Sequence, residues 1–269
     1  MLKQNIDSYN VIFIMADQMK ATSSNLYSRM GVETPNLKSI AQDGVLGLAL
    51  HPRLQMGTGE DYVYVAFHVA PDALPQALVG MRALELAGLN VTVPHKQAVM
   101  AHLDEISPEA QAIGAVNCVA GELGYNTDWI GFLKAMAGNG VEITGKNCLI
   151  IGAGGAARAV GYALVQAKAK SIIFQNRTKS RADQLIAWIN KLYPENEPGE
   201  KPDIMINCTP LGMWPETEAT PTDIQDIIEI GILADTIYNP LETEWLQRGR
   251  AEGAKIIRGM DMFLSLIHI

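Results

Sequence analysis

A glycine-rich segment carries the most informative residue pattern in this chain. Residues 150–159 read IIGAGGAARA, an apolar strand that runs into glycines and then into a helix, which is the context of a dinucleotide-binding fingerprint. Gly152 permits the tight turn, Gly154 lets the backbone approach a pyrophosphate, and Ala157 lets the helix pack close to the strand. The N–H groups and positive dipole end of the helix N-terminus then bind phosphate. The predicted residues are Gly152, Gly154, Gly155 and Ala156.

The turn after the next strand indicates which dinucleotide is bound. An NAD site usually carries Asp or Glu there, where the carboxylate binds the ribose hydroxyls. Residues 176–181 read NRTKSR instead, with two arginines and no acid. Guanidinium groups bind phosphate through bidentate, charge-assisted hydrogen bonds, so the pattern predicts NADP. The alternative is a solvated basic turn. The predicted residues are Asn176, Arg177, Thr178 and Arg181.

Length and composition narrow the class of protein. The 269 residues are 48% hydrophobic and 19% charged, which is ordinary for a globular enzyme of one or two domains. The net charge of −8 argues against nucleic-acid binding. No apolar run is long enough for a membrane span and no signal peptide is evident, so a cytoplasmic location is expected. The three cysteines lack metal-ligand spacing and are expected to be buried thiols, and no metal site is predicted.

The pattern of elements predicts two α/β domains that flank a cleft. From residue 146 onward strands and helices alternate, which favours a parallel sheet covered by helices on both faces, a Rossmann-type NADP-binding domain. The preceding half is also α/β. The expected organisation is an N-terminal segment (1–45), a substrate-binding domain (46–122), the NADP-binding domain (123–258) and a C-terminal segment (259–269).

Two further residues are candidates for acid–base chemistry. Asn90 and Thr92 alternate along a predicted strand and are expected to face the same side, and Lys96 opens the helix behind it. A lysine in a cleft can transfer protons when it is partly desolvated, although most lysines are simply exposed. Asp128 begins another predicted helix, where an acidic residue is also favoured by the helix dipole alone.

Seven segments together resemble the shikimate dehydrogenase family. They occur in the family's order between about residues 44 and 264. They are NVTVPHK (90–96), IGAVN (113–117), GYNTD (124–128), GAGGAARA (152–159), NRT (176–178) with Arg181, INCTPLGM (206–213) and YNPLET (238–243).

This resemblance implies reversible, NADPH-dependent reduction of 3-dehydroshikimate to shikimate without a metal. In the family a lysine and an aspartate flank the reacting hydroxyl, and Lys96 and Asp128 match them. The developing alkoxide needs a positive charge and a proton source, which the lysine supplies. The substrate-binding residues implied are Asn90, Thr92, Asn117 and Tyr238. Thr209 and Met213 are expected near the nicotinamide, and Gly259 is a further cofactor-site residue.

Both ends of the chain depart from the family. The Ser-x-Ser pair that grips the substrate carboxylate is absent, and Arg53 or Thr58 is the candidate replacement. Residues 10–45 resemble the opening of a sulfatase-type hydrolase, with Asp17 and Gln18 at metal-site positions, but the nucleophile motif of that family is absent. We interpret this segment as fused or mis-joined. The alternative is that VIFIMA supplies the missing first strand.

The C-terminal departure bears on activity. Leu266 stands where the family has a glutamine that touches substrate, and the returning helix is expected to be lost. Three hypotheses follow: an active shikimate dehydrogenase, a protein that binds NADPH but turns over shikimate poorly, or a quinate/shikimate dehydrogenase relative. The sequence leaves the oligomeric state open.

Overall fold

The structure is a computed structural model that describes residues 10–15, 62–67, 69–84, 86, 88–92, 94–197, 199 and 201–266. The chain forms two compact units, Met1–Asn126 and Thr127–Ile269. The division falls a few residues after the expected boundary between 122 and 123. Both units combine strands with helices, which confirms the α/β class. Within the described part of the chain, no helix is both long and apolar enough to cross a membrane.

The first unit contains a mixed six-stranded sheet with the order β2-β1-β3-β5-β6-β4. Its strands are β1 (Asn10–Met15), β2 (Tyr62–Ala66), β3 (Gly88–Val91), β4 (Glu105–Ile106), β5 (Cys118–Ala120) and β6 (Leu123–Tyr125). Its helices are α1 (Leu74–Ala83), α2 (His95–Ala98) and α3 (Pro108–Ile113). The core of this unit packs helix α1 against the sheet through Leu74, Leu78 and Met81.

Strand β1 lies between β2 and β3 and is parallel to both. The VIFIM run therefore takes a central place in the sheet, as the alternative interpretation of this segment expected. The fused or mis-joined origin of residues 10–45 stays a hypothesis, because strand pairing does not depend on where a segment comes from.

The second unit contains a five-stranded sheet with the order β11-β10-β9-β7-β8, in which every neighbouring pair is parallel. Its strands are β7 (Asn147–Ile151), β8 (Ser171–Gln175), β9 (Ile204–Asn207), β10 (Ile232–Asp235) and β11 (Lys255–Ile257). Its helices are α4 (Asp128–Gly138), α5 (Gly155–Gln166), α6 (Lys179–Leu192), α7 (Ile224–Ile227), α8 (Glu244–Ala251) and α9 (Gly259–Leu266). The predicted Rossmann-type parallel sheet is confirmed.

Small residues let the helices of the second unit approach the sheet closely. Helix α5 buries Ala157, Ala159 and Ala163 completely. On helix α8, a Cβ added at Gly249 would overlap the side chain of Leu233 in β10. Such close packing fixes the helix positions, because a larger side chain at these sites would push a whole helix outward.

One edge of this sheet, strand β8, is covered by the charged loop that follows α6. The side chain of Asn196 pairs with the backbone of Ile172 in the manner of a neighbouring strand. Its Oδ1 accepts from Ile172 N at 2.7 Å, and its Nδ2 donates to Ile172 O at 3.2 Å. An edge strand otherwise presents unpaired backbone groups that can pair with another chain. Asn196 thus pairs the backbone groups of one residue in this edge strand.

We expect Asn196→Ala to lower the free energy of unfolding by about 1–3 kcal/mol, because Ile172 is buried and would lose its polar partners. Urea unfolding measures the change. The control is Glu195→Ala, an exposed neighbour in the same turn, which should stay within about 0.5 kcal/mol of the parent. Equal effects of the two substitutions would contradict the proposed role of the amide.

Candidate functional site

The glycine-rich turn joins β7 to α5, and its first glycine has no space for a side chain. Gly152 has φ +120°, and a Cβ there would lie 2.8 Å from the carbonyl oxygen of Cys208. Cys208 N also donates to Ile151 O at 2.8 Å, which holds the two backbones together. Only glycine meets both conditions, since L residues rarely adopt this φ.

Gly154 differs from Gly152, because nothing in the described part of the protein requires a glycine there. A Cβ at Gly154 would meet no described atom within 4 Å, and the residue caps α5 in an extended conformation. No acidic residue lies in the first turn of this helix and, within the described residues, no side chain caps it. An open, uncapped helix N-terminus lined by Gly155 and Ala156 therefore fits a bound phosphate group.

The basic turn follows β8, the strand paired with β7 on the outer side. Arg177, Thr178 and Arg181 are exposed, and Asn176 Nδ2 donates to Thr178 O at 2.9 Å, which stabilises the turn. Among the described residues, neither guanidinium forms an ion pair with a carboxylate, whereas the neighbouring Lys179 pairs with Asp183 at 3.4 Å. The two guanidinium groups are therefore available for an anionic ligand.

On the other side of β7, the loop after β9 is held by a buried asparagine. Asn207 is completely buried, and its Oδ1 accepts from Thr209 Oγ1 at 2.7 Å and from Thr209 N at 2.9 Å. Its Nδ2 donates to Leu211 O and to Asp235 Oδ1, both at 3.2 Å. One side chain thereby fixes the start of the 209–213 loop, which carries the predicted site residues Thr209 and Met213.

Asp235, at the end of β10, accepts hydrogen bonds on both carboxylate oxygens. Oδ1 also accepts from Ile237 N at 2.9 Å, and Oδ2 accepts from Thr243 Oγ1 at 2.8 Å. Thr236 adds a tie between the strands, because its N and Oγ1 both donate to Asn207 O at 3.0 Å. We call this set the polar hub; its members are Asn207, Thr209, Asp235, Thr236 and Thr243.

Burial and hydrogen bonding shift the pKa of the Asp235 carboxyl in opposite directions. Burial dominates and raises its pKa to about 6, while the hydrogen bonds from Ile237 N, Thr243 and Asn207 lower it. Burial likewise raises the pKa of the neighbouring Cys208 thiol far above its ordinary value, with added effects from the Asp235 and Asp128 charges. The thiol is therefore neutral at physiological pH.

The segment after β10 carries Tyr238, which lies next to the 209–213 loop. Trp214 N donates to Asn239 O at 3.0 Å, which joins the two loops. The Tyr238 ring stacks on Phe263 of α9, with 5.2 Å between ring centroids, and remains 44% exposed. Helix α9 begins at Gly259, where any Cβ would overlap the Ile237 backbone, so this predicted site residue lies directly against the Tyr238 segment.

In the first unit, four predicted residues gather at one end of the sheet. Asn90 lies in β3 and pairs with Cys118 of β5, directly after Asn117. Asn117 O accepts from Val91 N at 2.8 Å. Lys96 lies in α2, and its carbonyl accepts from Val116 N at 2.7 Å, which places it beside the same strand end. The structure thus brings Asn90, Thr92, Lys96 and Asn117 together.

The expected strand is longer than the observed one. Strand β3 ends at Val91, one residue before Thr92, and the shared orientation of the Asn90 and Thr92 side chains stays a prediction. The strand ends there because of the turn into α2, in which Thr92 O accepts from His95 N at 2.8 Å. His95 is buried and donates from Nε2 to Val69 O at 2.8 Å, which anchors the start of the helix that carries Lys96.

Asp128 is the first residue of α4 and is buried. Its charge contributes to the raised pKa of the Cys208 thiol. The expectation that a helix begins at Asp128 is confirmed, and this position also favours an acidic residue through the helix dipole.

Several predicted residues fall outside the part of the chain that the structure describes. Arg53 and Thr58, the candidate carboxylate anchors, lie there, as do Asp17 and Gln18 of the sulfatase-like segment. Leu266 ends α9, and its side chain is not among those described. Among the described residues, no cluster of three or more His, Cys, Asp or Glu could hold a metal ion.

Sequence reasoning missed the residues that position the site. Asn207 and Thr243 lie inside segments that supported the family resemblance, but no role was assigned to them, and Asp235 lies in none of these segments. The available signal was a polar residue at the end of an otherwise apolar strand, in IMIN for Asn207 and ILAD for Asp235. Polar residues at such strand ends are candidates for ligand sites in parallel sheets.

The titration of Asp235 should affect stability. Its pKa is raised in the folded protein, so its stabilising contribution is complete below about pH 4 and is lost as the pH rises through about 6. The free energy of unfolding of the parent minus that of Asp235→Asn should therefore fall by up to about 3 kcal/mol between pH 4 and pH 7. Urea unfolding at several pH values measures this difference.

The matched control is Glu252→Gln, which removes an exposed carboxylate. Its free energy of unfolding should stay within about 0.5 kcal/mol of the parent's. If the free energy of unfolding of the parent minus that of Asp235→Asn rises with pH, the raised pKa of Asp235 is contradicted.

Two family models match the chain. "Shikimate dehydrogenase substrate binding domain" matches residues 45–119, and "Shikimate / quinate 5-dehydrogenase" matches residues 135–198. The NADP(+)-dependent shikimate dehydrogenase of Geobacillus sp. (strain WCH70) is 44% identical over 214 residues, which are 75% of this chain and 77% of the relative.

Solved structures give the same relationship. A shikimate dehydrogenase crystallised with NADP+ is 33% identical with a TM-score of 0.78, covering 97% of this chain and 88% of that one. Shikimate 5-dehydrogenase from Thermus thermophilus, in complex with NADP(H) and shikimate, is 28% identical with a TM-score of 0.71, covering 96% of this chain and 90% of that one. The sequence identity over three quarters of the chain, together with the two matched models, shows that this chain belongs to the shikimate dehydrogenase family.

Proposed function

We propose that this chain catalyses the reversible, NADP-dependent reduction of 3-dehydroshikimate to shikimate. The single observation that carries the proposal is the 44% identity to a shikimate dehydrogenase (NADP(+)) over three quarters of the chain. The chain is accordingly an oxidoreductase that acts on a CH–OH group and takes a small-molecule substrate. We further propose a cytoplasmic location.

The residues of the second unit fit NADP. The open space at Gly154 and the uncapped start of α5 suit a pyrophosphate, with Gly152, Gly155 and Ala156 completing the turn. The exposed guanidinium groups of Arg177 and Arg181, with Asn176 and Thr178, suit the 2′-phosphate. Thr209, Met213 and Gly259 are proposed to serve the nicotinamide end. When bound, NADPH supplies the hydride for the substrate carbonyl carbon.

We assign the proton chemistry to Lys96 and Asp128. As hydride reaches the carbonyl carbon, negative charge develops on the carbonyl oxygen, and a nearby ammonium group stabilises it and donates a proton. Lys96 supplies this group, and its helix is held by the bonds from His95 to Val69 and from Val116 to Lys96 O. For Asp128 we propose the role that the family resemblance implies, which is to orient the substrate hydroxyl.

The substrate hydroxyls are assigned to residues that can both donate and accept hydrogen bonds. Asn90, Thr92 and Asn117 are grouped beside Lys96 at one end of the first sheet. Tyr238 provides an aromatic wall that is kept in place by Phe263. Quinate is the second candidate substrate, because the matched family model covers shikimate and quinate 5-dehydrogenases.

We expect Lys96→Ala to lower turnover of shikimate by about a hundredfold or more, because the proton donor is lost, while NADPH binding stays intact. Formation of NADPH from NADP+ and shikimate, followed by absorbance, measures turnover. Fluorescence titration measures cofactor binding. Quinate is assayed in parallel as the competing substrate.

Gln97→Ala is the matched control, since Gln97 is an exposed neighbour on the same helix. It should keep the parent's turnover. Near-normal turnover by Lys96→Ala would show that another group transfers the proton. A parent chain that oxidises neither shikimate nor quinate would contradict the proposed function.

We expect the double substitution Arg177→Ala and Arg181→Ala to weaken NADPH binding at least about tenfold and to leave NADH binding unchanged. The reason is the loss of charge-assisted hydrogen bonds to the 2′-phosphate, a group that NADH lacks. Titration of both cofactors by fluorescence measures the effect. Lys191→Ala removes an exposed cation at the other end of α6 and should change neither affinity. Equal affinity of the parent for NADPH and NADH would contradict this assignment.

A further inference from the structure

The polar hub lies at the carboxyl ends of β9 and β10, where the nicotinamide half of a bound dinucleotide would begin. In the second sheet, β8 with the basic turn lies on one side of β7, and β9 and β10 lie on the other. A dinucleotide crosses the carboxyl ends of the strands with its pyrophosphate at the glycine-rich turn. If the 2′-phosphate binds beside β8, the nicotinamide half must extend over β9 towards β10.

Hydrogen bonds to the hub hold two segments that follow β9 and β10. Through Asn207 it fixes both the N–H and the hydroxyl of Thr209, and so the start of the 209–213 loop. Through Asp235 it fixes Ile237 N, one residue before Tyr238. The bond between Asn207 Nδ2 and Asp235 Oδ1 joins the side chains that hold these two segments.

The chemistry of the hub favours an acceptor at position 235. Asp235 accepts hydrogen bonds from the Ile237 N–H, the Asn207 amide and the Thr243 hydroxyl. The Cys208 thiol, one residue after β9, is affected by the Asp235 charge, and burial keeps this thiol neutral. No charged group is among the causes of the shifted pKa of Asp235. Its contacts are therefore directional hydrogen bonds rather than ion pairs.

We propose that Asp235 is a positioning residue that sets the nicotinamide half of the NADP site. It orders the 209–213 loop and the Tyr238 segment, and it has no part in binding the adenosine half. This inference rests on the proposed function, because it requires that the second unit binds NADP.

The test compares two ligands that share one half. NADP+ contains both halves, whereas adenosine 2′,5′-bisphosphate contains only the half that binds beside β8. Asp235→Leu keeps the branching of the side chain but removes every acceptor, so it should weaken NADP+ binding at least about tenfold. Its affinity for adenosine 2′,5′-bisphosphate should stay within about twofold of the parent's. Calorimetric titration measures both dissociation constants.

Asp235→Asn is the conservative variant. Its side-chain oxygen can still accept from Asn207 and Ile237, so NADP+ affinity should return to within about threefold of the parent's. Glu252→Gln, an exposed carboxylate on the same unit, is the control and should change neither ligand. If Asp235→Leu does not fold, Thr243→Val carries the same comparison, since it removes the hydroxyl donor to Asp235 Oδ2 with little change in volume.

The outcomes separate this inference from the proposed function. Selective loss of NADP+ affinity with rescue by asparagine supports the positioning role. Equal weakening of both ligands, or no weakening of either, overturns it and leaves the proposed function standing. A parent chain that binds neither ligand overturns the proposed function and this inference with it.

Discussion

The close approach of two backbones at Gly152 is the constraint on which the cofactor half of the protein depends. The carbonyl oxygen of Cys208 lies only 2.8 Å from where a Cβ of residue 152 would be, and Cys208 N donates to Ile151 O. This contact holds the carboxyl ends of the neighbouring strands β7 and β9 close together. A larger residue at position 152 would separate them, and the glycine-rich turn and the 209–213 loop would no longer share one surface.

The second requirement is that buried polar groups at this edge are paired. Asn207 uses both its oxygen and its amide hydrogens, and Asp235 uses both carboxylate oxygens. Each unpaired group in this setting would cost about 1–3 kcal/mol, so the pairing favours one arrangement of the loops over others. Rigid loops at the carboxyl edge are what a site needs when the position of a transferred hydride decides the rate.

In the first unit, tertiary hydrogen bonds hold one short helix that carries a proposed site residue. Helix α2 has only four residues and continues into a 3-10 helix at Val99–His102, and it carries the proposed proton donor. The side chain of His95 bonds to Val69, and the carbonyl of Lys96 accepts from Val116, so two separate segments hold this helix. Tertiary hydrogen bonds thereby replace the stability that a short helix lacks.

The sequence alone determined the α/β class, the parallel sheet of the second unit, the glycine-rich turn and the basic turn. These features follow from local patterns: apolar strands, helical spacing in α6, and glycines between a strand and a helix. Only the tertiary structure decided that Asn207 and Asp235, 28 positions apart, form one hydrogen-bonded hub. It also decided that β3 ends before Thr92 and that Asn10–Met15 lies between β2 and β3. Local patterns specify what each segment can form, whereas partners distant in the chain specify which buried polar groups meet, because pairing depends on the register of strands that only folding brings together.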